Sequence, residues 1–230
     1  MRKVRNCSVM VVLASLLVFA GFNWAQQTQP KSKGAQNKQD ARNKTTGKPN
    51  PAEDPAYRKF GIYENTAPRA GQAAAIKTSL PLQIKAGSRI GLVGNTLLER
   101  SRFFGHFESL LHQRFPEHKL VVRNLAWAAD TPGIQVRPAN FADLDQHLTH
   151  EKIDIIFAAY GFNESFAGQA GLADFRESLS SYIKGLQVKS FNGKTGPQIV
   201  LVSPIANENI TGVAAADLNN EQIKMYLEAM

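Results

Sequence analysis

Arg89-Ile-Gly-Leu-Val-Gly-Asn-Thr-Leu-Leu-Glu-Arg100 is the stretch whose reading decides the fold. Ile90, Leu92 and Val93 form a short apolar run of strand composition, Gly94 and Asn95 are turn formers, and from Leu97 the apolar residues recur at helical spacing. The stretch predicts a strand, a tight turn and a helix. In open α/β sheets a ligand sits where strands end and helices begin, because free backbone N–H groups and the positive end of the helix dipole face that edge. Asn95 and Thr96 occupy that junction, so chemistry is expected there.

Downstream, strand and helix alternate. The first helix is predicted from about Leu97 to Phe115, with Leu97, Phe104, Phe107, Leu111 and Phe115 on one stripe and Pro116 as its stop. Leu120 to Leu125 reads as a second strand, followed by a loop from Ala126 to Pro138 that carries Trp127, Asp130 and Pro132. A helix over about Asn140 to His150 presents Phe141, Leu144 and Leu148. Ile153 to Tyr160 is a third strand, nearly all apolar, as expected when both faces are covered. A helix over about Leu172 to Leu186 turns Leu172, Phe175, Leu179, Tyr182, Ile183 and Leu186 inward, Gln198 to Val202 forms a fourth strand, and Asp217 to Met230 is helical. The pattern predicts an α/β fold, a flavodoxin-like three-layer parallel sheet with helices on both faces and right-handed crossovers.

At 230 residues, 43% of them hydrophobic, the chain has room for one domain with a proper core and a tail. The formal charge of +8 suggests nucleic acid at first sight, but residues 1–55 hold nine Lys/Arg against three Asp/Glu. That leaves 18 against 16 in residues 56–230, so the folded part is nearly neutral and no nucleic-acid face is indicated. Residues 1–25 read as a signal peptide: Arg2, Lys3 and Arg5 precede an apolar stretch from Val9 to Phe22, too short for a comfortable membrane span. Export to the periplasm or the exterior is expected, with an uncleaved signal anchor as the minority alternative. Residues 26–55, rich in Gln, Lys, Asn, Thr, Gly and Pro, read as a disordered basic linker, because they offer too little apolar surface to offset ordering. Residues 56–88 form an N-terminal extension in which Tyr57, Phe60 and Tyr63 are candidates to dock on the domain at 89–230. Cys7, the single cysteine, lies in the signal and supports no disulfide, zinc or haem attachment in the mature chain.

In a parallel sheet the loops after the first three strands open on the same edge. Gly94-Asn95-Thr96, Asn124 to Thr131 and Gly161-Phe162-Asn163-Glu164 therefore converge. Together they resemble the conserved blocks of the SGNH, or GDSL-type, hydrolases. Gly94-Asn95-Thr96-Leu97 resembles Gly-Asp-Ser-(Leu/Ile). Asn124-Leu-Ala-Trp-Ala-Ala-Asp-Thr131 resembles Asn-x-Gly-x-x-Gly-Asp-Thr, with Ala126 and Ala129 in place of the glycines, and Gly161-Phe-Asn163-Glu164 resembles Gly-x-Asn-Asp. The surrounding wording is similar to an exported, planctomycete-type branch of that family.

The resemblance implies cleavage of acyl esters, on a small-molecule or glycan substrate, without cofactor or metal. A hydroxyl at Thr96 would attack the ester carbonyl. The backbone N–H groups of Thr96 and Ala126 and the side-chain amide of Asn163 would hold the oxyanion, where one donor is typically worth about 2.7–4 kcal/mol. Asn95, Trp127, Asp130 and Glu164 would line the binding cleft. Two departures bear on activity. Threonine replaces serine, its methyl restricting χ1, and the family's Asp-x-x-His block, expected after a fifth strand, is not reached. His106, His112, His118, His147 and His150 all precede the third strand. The chain therefore reads as ending ahead of that block, and weak or absent turnover is expected from these residues alone.

Local readings compete with the site. Thr96-Leu-Leu-Glu99 has the form of a capping box, and Asp143 and His147 stand four apart as a helix-surface pair. The alternative function is a non-catalytic ligand-binding module, or the N-terminal part of a larger exported protein. A flavodoxin-like cofactor site is disfavoured, because the first loop lacks a glycine- and hydroxyl-rich phosphate cradle.

Overall fold

The two-residue alternation in Arg89-Ile-Gly-Leu-Val-Gly94 sends Ile90 and Leu92 to one face of a strand and Gly91 and Val93 to the other. A computed structural model describes residues 63–212 and 215–230, all within the unit Pro49–Met230. The predicted signal, the linker, Tyr57 and Phe60 lie outside the described residues. In chain order the elements are β1 (Gly71–Gln72), β2 (Arg89–Gly94), α1 (Thr96–Ser101), α2 (His106–Arg114), β3 (Val121–Asn124), α3 (Leu144–His150), β4 (Ile155–Ala159), α4 (Phe162–Ser165), α5 (Leu172–Gln187), β5 (Lys189–Ser190), β6 (Gln198–Val202) and α6 (Ala216–Ala229).

The main sheet runs β3-β2-β4-β6 and is parallel throughout. This is the flavodoxin-like order, in which the strand sequence reverses at the seam between β2 and β4 and a ligand crevice opens outside the carboxyl ends of that pair. Register brings those ends level: Gly94 lies opposite Ala159, and Ala159 opposite Val202. Each face has its own core. Ile90, Leu92, Val122 and Ile155 pack with Leu98 of α1 and Leu111 of α2. Val93, Ile156, Ala158 and Tyr160 pack with Leu148 of α3, Phe175 and Leu179 of α5 and Tyr226 of α6.

Three sequence expectations change. The helix foreseen over Leu97 to Phe115 is two helices, because Gly105 adopts φ +63, a left-handed conformation open to glycine, and caps α2 afresh. The break re-phases the stripe, leaving Phe104 69% and Phe107 39% exposed. The second helix begins at Leu144 rather than Asn140, because Asp143 caps it: Asp143 accepts from the Gln146 N–H at 2.8 Å. A two-residue antiparallel ribbon joins β1 to β5, an element too short to show a period. Tyr63 of the extension makes an isolated bridge with Phe141. Upstream residues also hold the outer edge of β6, whose Ile199 N–H donates to Thr78 Oγ1 at 3.0 Å. No helix among the described residues is long and apolar enough to cross a membrane.

Candidate functional site

The junction after β2 is built on Gly94. Its φ is +119, and a Cβ there would lie 2.1 Å from the Ala159 carbonyl oxygen, so both conformation and space demand glycine. The Asn95 N–H then donates to that same oxygen at 3.1 Å, carrying the ladder one step past the strand. Buried Asn95 is the N-cap of α1: its Oδ1 accepts from the Leu97 N–H at 3.1 Å. The cap is therefore one residue earlier than the Thr96-Glu99 box expected. Glu99 instead pairs with Arg102 at 2.6 Å and Arg100 at 3.4 Å. Relieved of capping, Thr96 makes no side-chain hydrogen bond among the described residues, and its N–H is one of the free donors of the first turn.

Thr96 lines a cavity of about 810 Å³ above the carboxyl ends of β2 and β4. Leu97, Phe104, Phe107, Phe162, Pro204 and Ile205 supply its apolar walls, and Asn95, Arg100, His106 and Glu208 its polar points. His106 is a candidate that sequence position set aside. The turn at Gly105 brings it to this cavity, stacked on Phe104 with centroids 6.2 Å apart. A glycine inside a helical pattern was the available signal.

A second cavity, of about 440 Å³, lies on the other side of α1 and receives Ala126, Trp127, Phe141 and His147 along with Glu99, Arg102 and Arg137. The expected oxyanion donor of Ala126 is already engaged, its N–H donating to Asn124 Oδ1 at 3.1 Å in an Asx turn. The Nδ2 of Asn124 donates to the Leu98 carbonyl at 2.6 Å, fastening α1 to the end of β3. Thr96 and Ala126 thus open on different cavities, with α1 as the partition. Of the two alanines at family glycine positions, Ala129 carries the backbone cost: its φ is +66.

Asp130, expected along the cleft, is buried and gripped at 2.8 and 2.7 Å by both terminal nitrogens of Arg137. The Arg137 guanidinium also covers one face of Trp127, 4.5 Å from the ring centroid, while the indole remains 40% exposed. Arg137 was absent from the sequence-level candidates, because nothing in its spacing announces the pairing. Asp143 and His147 do not pair. Asp143 caps α3 and meets Arg69 at 3.1 Å, and His147 packs on Phe141 with ring centroids 5.2 Å apart. Burial first, then the neighbouring His150 and Arg137, holds the His147 imidazole below its usual 6.5.

Asn163 and Glu164 sit in the single turn of α4, which follows Gly161 at φ +95. The Gly161 N–H donates to Glu164 Oε2 at 2.9 Å, so this acid caps the turn. Burial pushes its carboxyl above the ordinary carboxylate value, against the lowering effect of backbone N–H groups. Asn163 Nδ2 and Glu164 Oε1 are both buried without a hydrogen-bond partner among the described residues. Such orphans are few in folded proteins and call for an explanation. No group of three or more His, Cys, Asp or Glu suited to a metal ion occurs among the described residues.

The fold and site are those of a doubly wound α/β protein with its crevice at the strand-order reversal. No family model matches the chain, and no curated protein matches it. Among solved structures, an acetyl xylan esterase is similar with a TM-score of 0.39 and 13% identity, over 61% of this chain and 71% of that one. A likeness at that level carries no argument about activity.

Proposed function

We propose that the protein is an exported ester hydrolase of the SGNH type, slow as this chain stands, with Thr96 as nucleophile. The observation that carries the reading is Thr96, excused from capping by Asn95 and lining a ligand-sized cavity at the crevice. The Thr96 oxygen attacks the ester carbonyl carbon as its proton passes to His106. The tetrahedral oxyanion is held by the Thr96 N–H; Asn163, whose Nδ2 is buried without a partner among the described residues, is not among the residues that line the Thr96 cavity. Collapse breaks the bond to the alcohol oxygen, which takes the proton from His106 and leaves an acyl-threonine. Water then attacks the acyl carbon, giving up a proton through His106, and releases the acid with Thr96 restored.

His106 has no carboxylate partner among the described residues. A base without its orienting acid loses on the order of 10⁴-fold in related chemistries, which is why slow turnover is expected. Hydrolysis of p-nitrophenyl esters by the purified chain should disappear in Thr96→Ala and fall sharply in His106→Ala. Activity that persists in Thr96→Ala refutes the nucleophile assignment. The Ala126 N–H, already given to Asn124, favours the second reading, a non-catalytic ligand-binding module. Ligand binding with no turnover at any pH decides for it. Export rests on the pattern of residues 1–25, and Edman sequencing of secreted protein tests it.

A further inference from the structure

The cavity beside Thr96 and the cavity beside Trp127 divide their chemistry unevenly. Glu99, Arg102 and the Asp130–Arg137 pair stand on the Trp127 side of α1. The Thr96 side has Arg100, His106 and Glu208 as polar points, but Leu97, Phe104, Phe107, Phe162 and Ile205 form a continuous apolar wall. Its volume of about 810 Å³ falls in the range that encloses drug-sized ligands. An acetyl group on Thr96 occupies a small part of that space and leaves water against the apolar walls. The apolar surface also continues outward: Phe104 is 69% exposed, and Leu110, one turn beyond Phe107 on α2, is 64% exposed.

We infer that the acyl group accepted here is an apolar chain of medium length, of the octanoyl class, rather than acetyl. The inference rests on the hydrolase reading for its chemistry and on the cavity for its selectivity. The ester carbonyl sits at Thr96, and the alkyl chain runs along Leu97, Phe107 and Phe162 toward Ile205. Each methylene moved from water onto these walls raises kcat/KM about threefold to fourfold, until the chain reaches the exposed mouth.

The test measures kcat/KM of the 230-residue chain on p-nitrophenyl acetate, butanoate and octanoate, and, separately, binding of sodium octanoate and sodium acetate to Thr96→Ala by calorimetry. The expected result is a rise of up to about a thousandfold from acetate to octanoate, the compounded gain of the added methylenes, with octanoate binding but no acetate binding, and loss of both preferences in Ile205→Asp. Ile205 is 61% exposed, so this substitution leaves the core intact. Turnover that is flat or highest on acetate overturns the chain-length inference and leaves the hydrolase reading standing. Octanoate binding that Ile205→Asp abolishes, with no ester turned over, overturns the hydrolase reading and keeps the apolar-chain ligand. Neither turnover nor binding overturns both.

Discussion

The cavities on the two sides of α1 are neighbours built by opposite means. On the Trp127 side two wall residues are held by paired charges, Arg137 by Asp130 and Arg102 by Glu99, and the loop that carries Arg137 passes through Ala129 at φ +66. On the Thr96 side aromatic and aliphatic groups from five loops and helices outweigh the polar Arg100, His106 and Glu208, with a hydroxyl that nothing holds. A buried ion pair ties its partners to one geometry, because separating them leaves a charge without solvent. Apolar walls impose no such geometry and accommodate a range of shapes. The contrast teaches that rigidity and available chemistry sit on opposite sides of one six-residue helix.

Substitutions can break that contrast. The largest effect belongs to Gly94→Ala, which meets the Ala159 carbonyl and a φ that alanine cannot hold. We expect about 4 kcal/mol or more of destabilisation, the scale of a core violation, with both cavities lost together. Retained cooperative urea unfolding near the wild-type midpoint would show that the close approach at β2 and β4 is not as described. Asp130→Ala strands a buried guanidinium and should cost about 3–5 kcal/mol, with a shift in Trp127 fluorescence as Arg137 leaves the indole. The same measurement on the apolar side separates neighbouring residues. Asn95→Ala should cost about 1 kcal/mol as a lost cap, whereas Thr96→Ala should stay within about 0.5 kcal/mol, since its hydroxyl makes no internal bond.

The smallest effect is one of pH. His147 has a lower pKa folded than unfolded, so its contribution is complete above about 6.5. It is lost as pH falls from there through the folded value, because the unfolded chain takes up the proton first. His147→Gln should make the acid limb of the stability curve shallower. Glu164, raised by burial, runs the other way: its contribution is present in acid and is lost as pH rises through its folded value. Urea midpoints for Glu164→Gln across pH should therefore converge with wild type in acid and separate above it. Identical pH profiles for wild type and both variants would remove these groups from the account.

Much of the sheet was legible because its strands are apolar runs and their order follows from alternation with helices. β6 and α5 match the residues expected almost to the end. What was not legible depended on backbone turns. An apolar stripe reads the same whether it packs on a sheet or walls a cavity, so the spacing points Phe104 and Phe107 inward, and only the break at Gly105 turns them to the cavity. Thr96 and Asn95 are both good caps, and only the extended backbone at Asn95, φ −87 and ψ −165, decides between them. Arg137 reaches back seven positions to Asp130 with no period to betray it.

Because α1 is a wall of both chambers, occupants of either side meet the same helix. Whatever factor a molecule beside Trp127 imposes on the affinity for one beside Thr96, the second must impose on the first, by thermodynamic reciprocity. That helix has six residues and is pinned at its start by Asn95 and along its length by Asn124, so the two chambers share one fastened wall rather than standing apart.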